Sequence, residues 1–351
     1  MNYYVSQQEY IQIDRRPPYI TITLLIINIV LWLLMTIAGG STNVFVLQSF
    51  GAKVNVLIAS GQYWRLFTPM FLHIGIVHLF FNSYALYTYG TLVERLFGKV
   101  KFLIIYLASG LFGTVFSYMF SHPISAGASG AIFGLFGALL YFRKARRGIF
   151  KRLLGANLII VIGFNLIYGF TRSGIDNWGH IGGLVGGFLI SSWLDLYSEK
   201  SFTLKRVMFL LLAVVILAVG INWGNYKYRQ EALINKALNS YSAGDTQEAV
   251  ENIQNFLDDN PDSIEARYVL GAIYAETGHI DKAIDQLSIL LDKDDGHVPT
   301  HLLLGKIYLS TGQLDLAKDH LERVLSIDPG IEEARDLLES IQQHMNAHTL
   351  G

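Results

Sequence analysis

The sequence predicts an all-α protein in which a bundle of membrane-spanning helices is followed by a solenoid of helical repeats. Three observations predict it: long apolar runs joined by basic loops, a low charged fraction of 16%, and a final third that is acidic and periodic. A soluble domain usually has about 25% charged residues. Residues 1–223 hold 17 Lys/Arg and 6 Asp/Glu, and residues 224–351 hold 10 and 22. The net charge of −1 therefore combines two differently built regions.

The first apolar run covers residues 19–38 and follows a polar stretch of eighteen residues. About 20 apolar residues are what a helix needs to cross a bilayer, and a cleavable signal would be shorter. We therefore expect residues 1–18 to form a short cytoplasmic tail and the run to be an uncleaved anchor.

Six further apolar runs of about 17–19 residues follow, each long enough to span with little tilt. The second, fourth and sixth of the seven runs contain glycine or polar residues, and polar groups at membrane depth usually face the interior of a bundle. The six runs are Ile76–Val93, Phe102–Phe120, Ala126–Phe142, Leu153–Phe170, Trp178–Leu194 and Val207–Trp223.

Loop charge predicts the orientation of these seven spans. With the N-terminus in the cytoplasm, the inside segments carry 14 basic residues and the outside loops carry 3. The positive-inside rule favours this arrangement, which places the acidic C-terminal region outside.

The first outside loop, 39–75, has only two charges, Lys53 and Arg65, and contains three apolar stretches. A solvated loop would be more polar. We expect short amphipathic pieces that lie in the outer interface, with Trp64 and Arg65 at headgroup level.

The acidic end repeats with a period of 34 residues, at which the same residue type recurs three times. The pattern Leu270-Gly271-x2-Tyr274 returns as Leu304-Gly305-x2-Tyr308. Period and pattern match the tetratricopeptide repeat. We expect three repeats and a capping helix near 331–346, forming a groove for a peptide or protein partner. A spacer without a ligand remains an alternative. The three periodic sets are Gly244, Gly278, Gly312; Ala249, Ala283, Ala317; and Leu257, Leu291, Leu325.

Several kinds of chemistry are excluded by what the chain lacks. It has no cysteine, its six acidic residues before position 224 avoid the middle of every span, and it has no His-Glu-x-x-His. A buried aspartate pair, a carboxylate relay and these metal patterns are therefore absent. No glycine-rich nucleotide loop occurs either. We expect no metal, no cofactor and no nucleic-acid partner.

A serine and a histidine remain as candidates. Ser129 lies in Gly127-Ala128-Ser129-Gly130 at the outer start of the fourth span, and His180 lies at the outer start of the sixth. A serine hydroxyl is a weak nucleophile until an imidazole takes its proton. Small residues after His180, at Gly183 and Gly187, allow close packing of the two helices. Alternatively, the glycines and serine serve packing alone, and the histidine is a satisfied buried polar residue.

His78 and Asn82 lie four residues apart on the second span and therefore point the same way. An acyl-transfer site needs donors for the developing oxyanion. The Asn82 amide, the His78 ring N–H and the Ser129 backbone N–H are candidates. As structural residues, His78 and Asn82 would instead bond to other helices.

Residues 19–223 resemble the rhomboid family of intramembrane serine proteases. The resemblance implies a six-helix core, with Ser129 as nucleophile, His180 as general base, and no third catalytic carboxylate. It also implies that His78 and Asn82 serve the oxyanion, supported by the Gly127 and Gly130 motif. Phe133 replaces a tyrosine common in this family. The matching motifs are Trp64-Arg65, His73-x4-His78-x3-Asn82, Gly127-Ala128-Ser129-Gly130 and Gly179-His180-Ile181-Gly182-Gly183-x3-Gly187.

The expected organisation is a tail (1–18), a rhomboid-like six-helix core (19–197), a loop with a seventh membrane helix (198–226), and tetratricopeptide repeats (227–346). The expected function is intramembrane endopeptidase cleavage in or near transmembrane segments of membrane proteins. The expected surroundings are the lipid bilayer of a bacterial plasma membrane. The alternatives are a membrane protein that binds clients without cutting them and a scaffold that acts through its repeats.

Overall fold

The computed structural model describes residues 16–155, 157–172, 174–194 and 203–349, with side chains up to residue 343. The chain divides into two compact units, residues 1–229 and residues 230–351, here called the membrane unit and the repeat unit. Most of the predicted tail (residues 1–15) and part of the loop before the seventh helix (195–202) lie outside the described residues.

The regular secondary structure of the membrane unit is helical in the described residues, as predicted, apart from one isolated bridge. Two short 3₁₀ turns, Tyr63–Leu66 and Thr68–Phe71, precede α4, and a π-helical turn, Leu86–Gly90, joins α4 to α5. The α-helices are α1 (Tyr19–Ile37), α2 (Val44–Phe50), α3 (Asn55–Ala59), α4 (Gly75–Ala85), α5 (Thr91–Phe97), α6 (Lys99–Phe120), α7 (Ser129–Ala145), α8 (Arg147–Leu153), α9 (Asn157–Thr171), α10 (Asn177–Leu194) and α11 (Leu204–Lys227).

Three of these helices, α1, α6 and α11, are long and apolar enough to cross a membrane by length and composition alone. The helices α8 and α9 would make a fourth span if this pair, bent by 72°, is taken as one. The fifth predicted run, residues 153–170, corresponds to α9, and α8 lies almost entirely before it, in the predicted basic loop. The number of seven spans stays a prediction.

The core of the membrane unit lies where α6, α7 and α10 pack together. Residues from every side of α7 are buried, among them Leu135, Ala138 and Leu139. A helix that is apolar all round belongs in the centre of a bundle. By contrast, α1 and α9 expose large apolar side chains such as Leu34 and Ile160, which suits contact with lipid. Glycine-rich α7 and α10 are thus central, and the more apolar helices surround them.

The first outside loop folds into short helical pieces, as predicted, but Arg65 does not face outward. Its guanidinium is buried and donates to the carbonyls of Gln48 (2.7 Å) and Ala52 (3.2 Å) and to the side chain of Gln62 (2.7 Å). A buried charge requires such acceptors. Trp64 is half-exposed, so only this member of the pair is free to meet headgroups.

The repeat unit consists of three helix pairs and a closing helix, which confirms the predicted solenoid. The pairs bury one apolar face against the next pair, and this shared core replaces the single core of a globular domain. The helices are α12 (Arg229–Ser242), α13 (Thr246–Asp259), α14 (Ile264–Glu276), α15 (Ile280–Leu291), α16 (Val298–Ser310), α17 (Leu314–Ile327) and α18 (Glu332–Thr349).

Two of the 34-residue periodicities have direct structural causes. Each periodic glycine lies between the two helices of a pair, with φ of +88° at Gly244, +78° at Gly278 and +76° at Gly312. This left-handed conformation favours glycine. The periodic alanines, such as Ala283, are fully buried where the helices meet, and a larger side chain would separate them.

Candidate active site

The helices that carry Ser129 and His180 are in direct backbone contact. A Cβ atom added to Gly183 would lie 1.9 Å from the carbonyl oxygen of Gly130, and one added to Gly187 would lie 1.9 Å from that of Gly134. A Cβ on Gly130 would lie 3.3 Å from the Gly179 carbonyl oxygen. Only glycine permits this separation, so the predicted close approach of α7 and α10 is confirmed. The contact begins beside Ser129 on α7 and beside His180 on α10.

The imidazole of His180 packs against α7 one turn beyond Ser129. Its ring stacks on Phe133, with centroids 4.2 Å apart and an interplanar angle of 5°. Phe133 is one turn beyond Ser129, and residues four apart share a helix face. His180 is buried, and none of the described residues forms a hydrogen bond with its Nδ1. The ring is therefore oriented by stacking on α7.

Ser129 is the first residue of α7, half-buried at the outer end of the helix. Among the described residues, no side chain caps this helix at Ala128. The first N–H groups of a helix have no partner within the helix, and they form its partially positive end. Backbone donors therefore lie next to the Ser129 hydroxyl, at the position predicted for oxyanion binding.

Gly127 keeps open the space between His78 and Ser129. A Cβ on Gly127 would lie 2.6 Å from His78 Cε1 and 3.7 Å from Ser129 Oγ. The imidazole edge and the hydroxyl thus border the same small volume, which a side chain at position 127 would fill. The structure brings together Ser129, His78 and the glycine motif, as the sequence predicts.

Asn82 is buried on the same helix as His78, but its amide is engaged within that helix. Asn82 Nδ2 donates to the backbone carbonyl of His78 at 3.1 Å. An amide group has two N–H donors, so one remains for another acceptor. Its role at an oxyanion therefore requires the second donor or a rotation of the side chain.

His73 has a contact that the sequence reasoning did not assign. It is fully buried, its ring meets that of His78 edge to face at 5.4 Å, and its Nε2 accepts a long 3.5 Å hydrogen bond from the backbone N–H of Ala128. The spacing His73-x4-His78 is the sequence feature from which this contact could be predicted. His73 therefore supports both His78 and the residue that precedes Ser129.

Asp176, four residues before His180, caps α10. Its carboxylate accepts hydrogen bonds from the backbone N–H of Gly179 (3.0 Å) and from the hydroxyl of Ser117 on α6. A carboxylate at the N-cap position that binds the third N–H of the helix is a common cap. Asp176 therefore anchors the first turn of α10, where it satisfies a helix N–H.

No group of three or more His, Asp or Glu side chains within the described parts of the chain is arranged to hold a metal ion. The groups gathered here are a hydroxyl, three imidazoles, the Asn82 amide and backbone donors.

Parts of this chain match known proteins. Residues 60–198 match a family model described as Rhomboid domain. The chain is 46% identical over 237 residues to Rhomboid protease GluP of Bacillus subtilis. The matched segment covers 67% of this chain and 46% of GluP. It is 36% identical over 171 residues to Putative rhomboid protease YdcA of the same organism, and this match covers 48% of this chain and 84% of YdcA. This chain belongs to the rhomboid family.

The rhomboid is also similar to a plant protein, RHOMBOID-like protein 9, chloroplastic, of Arabidopsis thaliana. The two are 38% identical over 144 residues, and the match covers 40% of this chain and 33% of that protein. Residues 240–299 and 298–331 match models described as Tetratricopeptide repeat. This rhomboid is thus a multi-pass membrane protein with C-terminal tetratricopeptide repeats. Its match spans less than half the length of GluP.

Proposed function

We propose that this rhomboid is a serine endopeptidase that cuts membrane proteins in or near their transmembrane segments. Ser129 is the nucleophile and His180 is the general base. One observation carries the proposal: the glycine contact of α7 with α10 holds the His180 ring against Phe133, one turn from Ser129. Activation of a serine requires a base within hydrogen-bond reach, and helices this close allow the two side chains to meet.

The reaction proceeds in two halves. His180 takes the proton of the Ser129 hydroxyl as its oxygen attacks the peptide carbonyl, and the C–N bond then breaks as the proton passes to the leaving amine. Water next attacks the acyl-enzyme, gives a proton to His180 and releases the carboxylic product. The proton returns to Ser129, which restores the resting enzyme.

The negative charge that develops on the carbonyl oxygen needs donors. The N–H groups at the start of α7 supply two, because the helix end is not capped by a side chain. His78 borders the space beside Ser129 and supplies a ring N–H. Asn82 supplies the fourth donor after a change in its side-chain rotation.

The membrane setting follows the charge of the loops. We place the N-terminus in the cytoplasm and the repeats outside a bacterial plasma membrane, with water reaching Ser129 from the outer face. A substrate helix must unwind locally, because a helical backbone hides its carbonyls from attack.

Cleavage of a single-span fusion protein by the purified full chain tests this function. Wild type should give product, and Ser129→Ala and His180→Ala should give none. The matched controls are Ser49→Ala in the first outside loop and His279→Ala in the repeats, which should both retain activity since these residues are exposed and lie outside the site. Absence of cleavage by every form, in detergent and in lipid and with several substrates, would favour a protein that binds clients without cutting them.

We further propose that the repeats recruit substrates or a partner protein. Their region is strongly acidic, with 22 Asp/Glu against 10 Lys/Arg in residues 224–351, which favours a basic partner. Deletion of the repeat unit, residues 230–351, should slow cleavage of native clients while a generic substrate is still cut. Full-rate processing of native clients by the truncated enzyme would overturn recruitment, and loss of every function would favour a scaffold.

A further inference from the structure

The segment that leads into Ser129, residues 121–128, is held by the first outside loop. We call it the nucleophile loop. Ser125 forms an isolated antiparallel bridge with Lys53, with the Lys53 N–H donating to the Ser125 carbonyl (2.9 Å) and the Ser125 N–H donating back (3.2 Å). The Gly127 N–H donates to the Pro69 carbonyl at 2.9 Å. These bonds attach the nucleophile loop to a distant part of the sequence.

The side chain of Lys53 makes a second attachment. Lys53 is fully buried, and its Nζ donates to the carbonyl oxygens of Ser121 (2.8 Å) and Pro123 (3.0 Å). The amide of Asn55 donates to the same Ser121 oxygen at 2.9 Å. Lys53 therefore binds the nucleophile loop through both its backbone and its ammonium group.

A buried ammonium is unfavourable unless its hydrogen bonds replace those of water. A purely apolar side chain would fill the same space without that desolvation. The ammonium instead forms directional hydrogen bonds to two carbonyls just after the end of α6. The negative end of the helix dipole also favours a cation at this place. It thereby fixes the nucleophile loop between the end of α6 and the start of α7.

We propose that Lys53 is a positioning residue, which holds the nucleophile loop so that the Ser129 hydroxyl lies opposite His180. Lys53 acts through the loop and does not touch the reacting atoms. The inference rests on the proposed function, in which Ser129 is the nucleophile. A displacement of about 1 Å at a reacting group can lower a rate by about 100-fold. A residue that only stabilised the fold would change the melting temperature and leave the turnover of folded enzyme unaltered.

The test uses full-length protein carrying Lys53→Met, with Lys205→Met as the matched control, because Lys205 is exposed on α11. Three quantities are measured: hydrogen exchange of a peptide covering residues 121–128, labelling of Ser129 by a fluorophosphonate, and kcat and KM for a single-span fusion substrate. Asn55→Ala, which removes one donor to Ser121, is a milder variant if Lys53→Met does not fold.

We expect Lys53→Met to speed exchange in the nucleophile loop and to lower both labelling and kcat by about tenfold or more, with KM little changed. Asn55→Ala should change the same quantities less, and Lys205→Met should match wild type. Unchanged exchange, or faster exchange with unaltered labelling and kcat, would overturn the positioning role. If wild type itself neither labels nor cuts, the proposed function fails and takes the positioning role with it, while the exchange data still show whether Lys53 holds the loop.

Discussion

The ring of Phe133 lies parallel to the imidazole of His180 at a centroid separation of 4.2 Å, and it is the closest ring contact that His180 makes among the described residues. Phe133 is on α7 and His180 is on α10. The contact therefore links the two helices at the level of the proposed dyad. A phenylalanine supplies the aromatic face without a hydroxyl, so orientation of His180 by stacking needs no hydrogen bond at this position.

Removal of this ring should reduce catalysis. Phe133→Ala is expected to lower kcat roughly 2- to 10-fold, since a stacked pair contributes about 0.5–1.5 kcal/mol beyond burial. Phe133→Tyr keeps the ring and should retain activity. Steady-state kinetics on a fusion substrate measures both. Equal rates for Phe133→Ala and wild type would show that His180 is oriented by other contacts.

The glycine contact predicts a sharp difference between two glycine-to-alanine changes. Gly183→Ala places a Cβ against the Gly130 backbone, which should separate α7 from α10, destabilise the fold by about 1–3 kcal/mol and abolish most activity. Gly163 lies on α9 with nothing within 4 Å of its Cβ position, so Gly163→Ala should be neutral or slightly stabilising. Thermal unfolding and cleavage assays compare them. Tolerance of alanine at position 183 would contradict the packing described here.

Substitution of Asp176 distinguishes a Ser-His dyad from a Ser-His-Asp triad. Asp176→Asn keeps an oxygen acceptor for the Gly179 N–H and should retain most activity. A third catalytic carboxylate would instead make this change reduce kcat by ~10⁴-fold, as in a Ser-His-Asp site. Asp176→Ala removes the cap and should destabilise the protein by about 0.5–2 kcal/mol. Kinetics of the asparagine variant and melting of the alanine variant separate the two roles.

The repeat unit contains a histidine pair whose contact is expected to depend on pH. The Nδ1 atoms of His301 and His320 are 2.8 Å apart, so one must donate and the other must accept. Burial and the neighbouring His301 hold the pKa of His320 below its usual value. A lowered folded-state pKa gives stability that is present above the unfolded pKa of about 6.5 and is lost as the pH falls below it.

Acidification should therefore loosen α16 and α17. Hydrogen exchange of these helices in the full chain, corrected for intrinsic rates, is expected to accelerate between pH 7.5 and pH 5.5. His320→Gln, which cannot be protonated, should show a smaller change over that interval. The same acceleration in this variant would assign the effect to other groups.

The proposed need for local unwinding concerns the substrate. A fusion substrate with glycine or proline in its transmembrane segment should be cut faster than one stiffened with leucine, because a regular helix hides its carbonyls. Initial rates at matched enzyme and substrate concentrations test this, and Ser129→Ala gives the background. Equal rates would indicate that cleavage occurs where the chain is already extended.

Periodicity and motif spacing were informative where local chemistry determines structure. The period of 34 predicted the repeats, since each left-handed turn favours a glycine and each helix contact needs a small residue. The apolar runs coincide with helices of the membrane unit. The short helix α8 was not predicted, because it lies in a basic loop between two apolar runs.

The sequence by itself determined the all-helical class, the membrane and repeat regions, and the set of residues from which the candidate site is built. These follow from composition, period and short motifs, which are local properties of the chain. Only the tertiary structure decided that Arg65 binds loop carbonyls, that Ser117 of α6 donates to Asp176, and that Lys53 binds the loop before Ser129. These contacts join residues that are distant in the sequence, 17 positions apart for Arg65 and Gln48 and 70 for Lys53 and Pro123. No local pattern encodes which buried donor meets which acceptor.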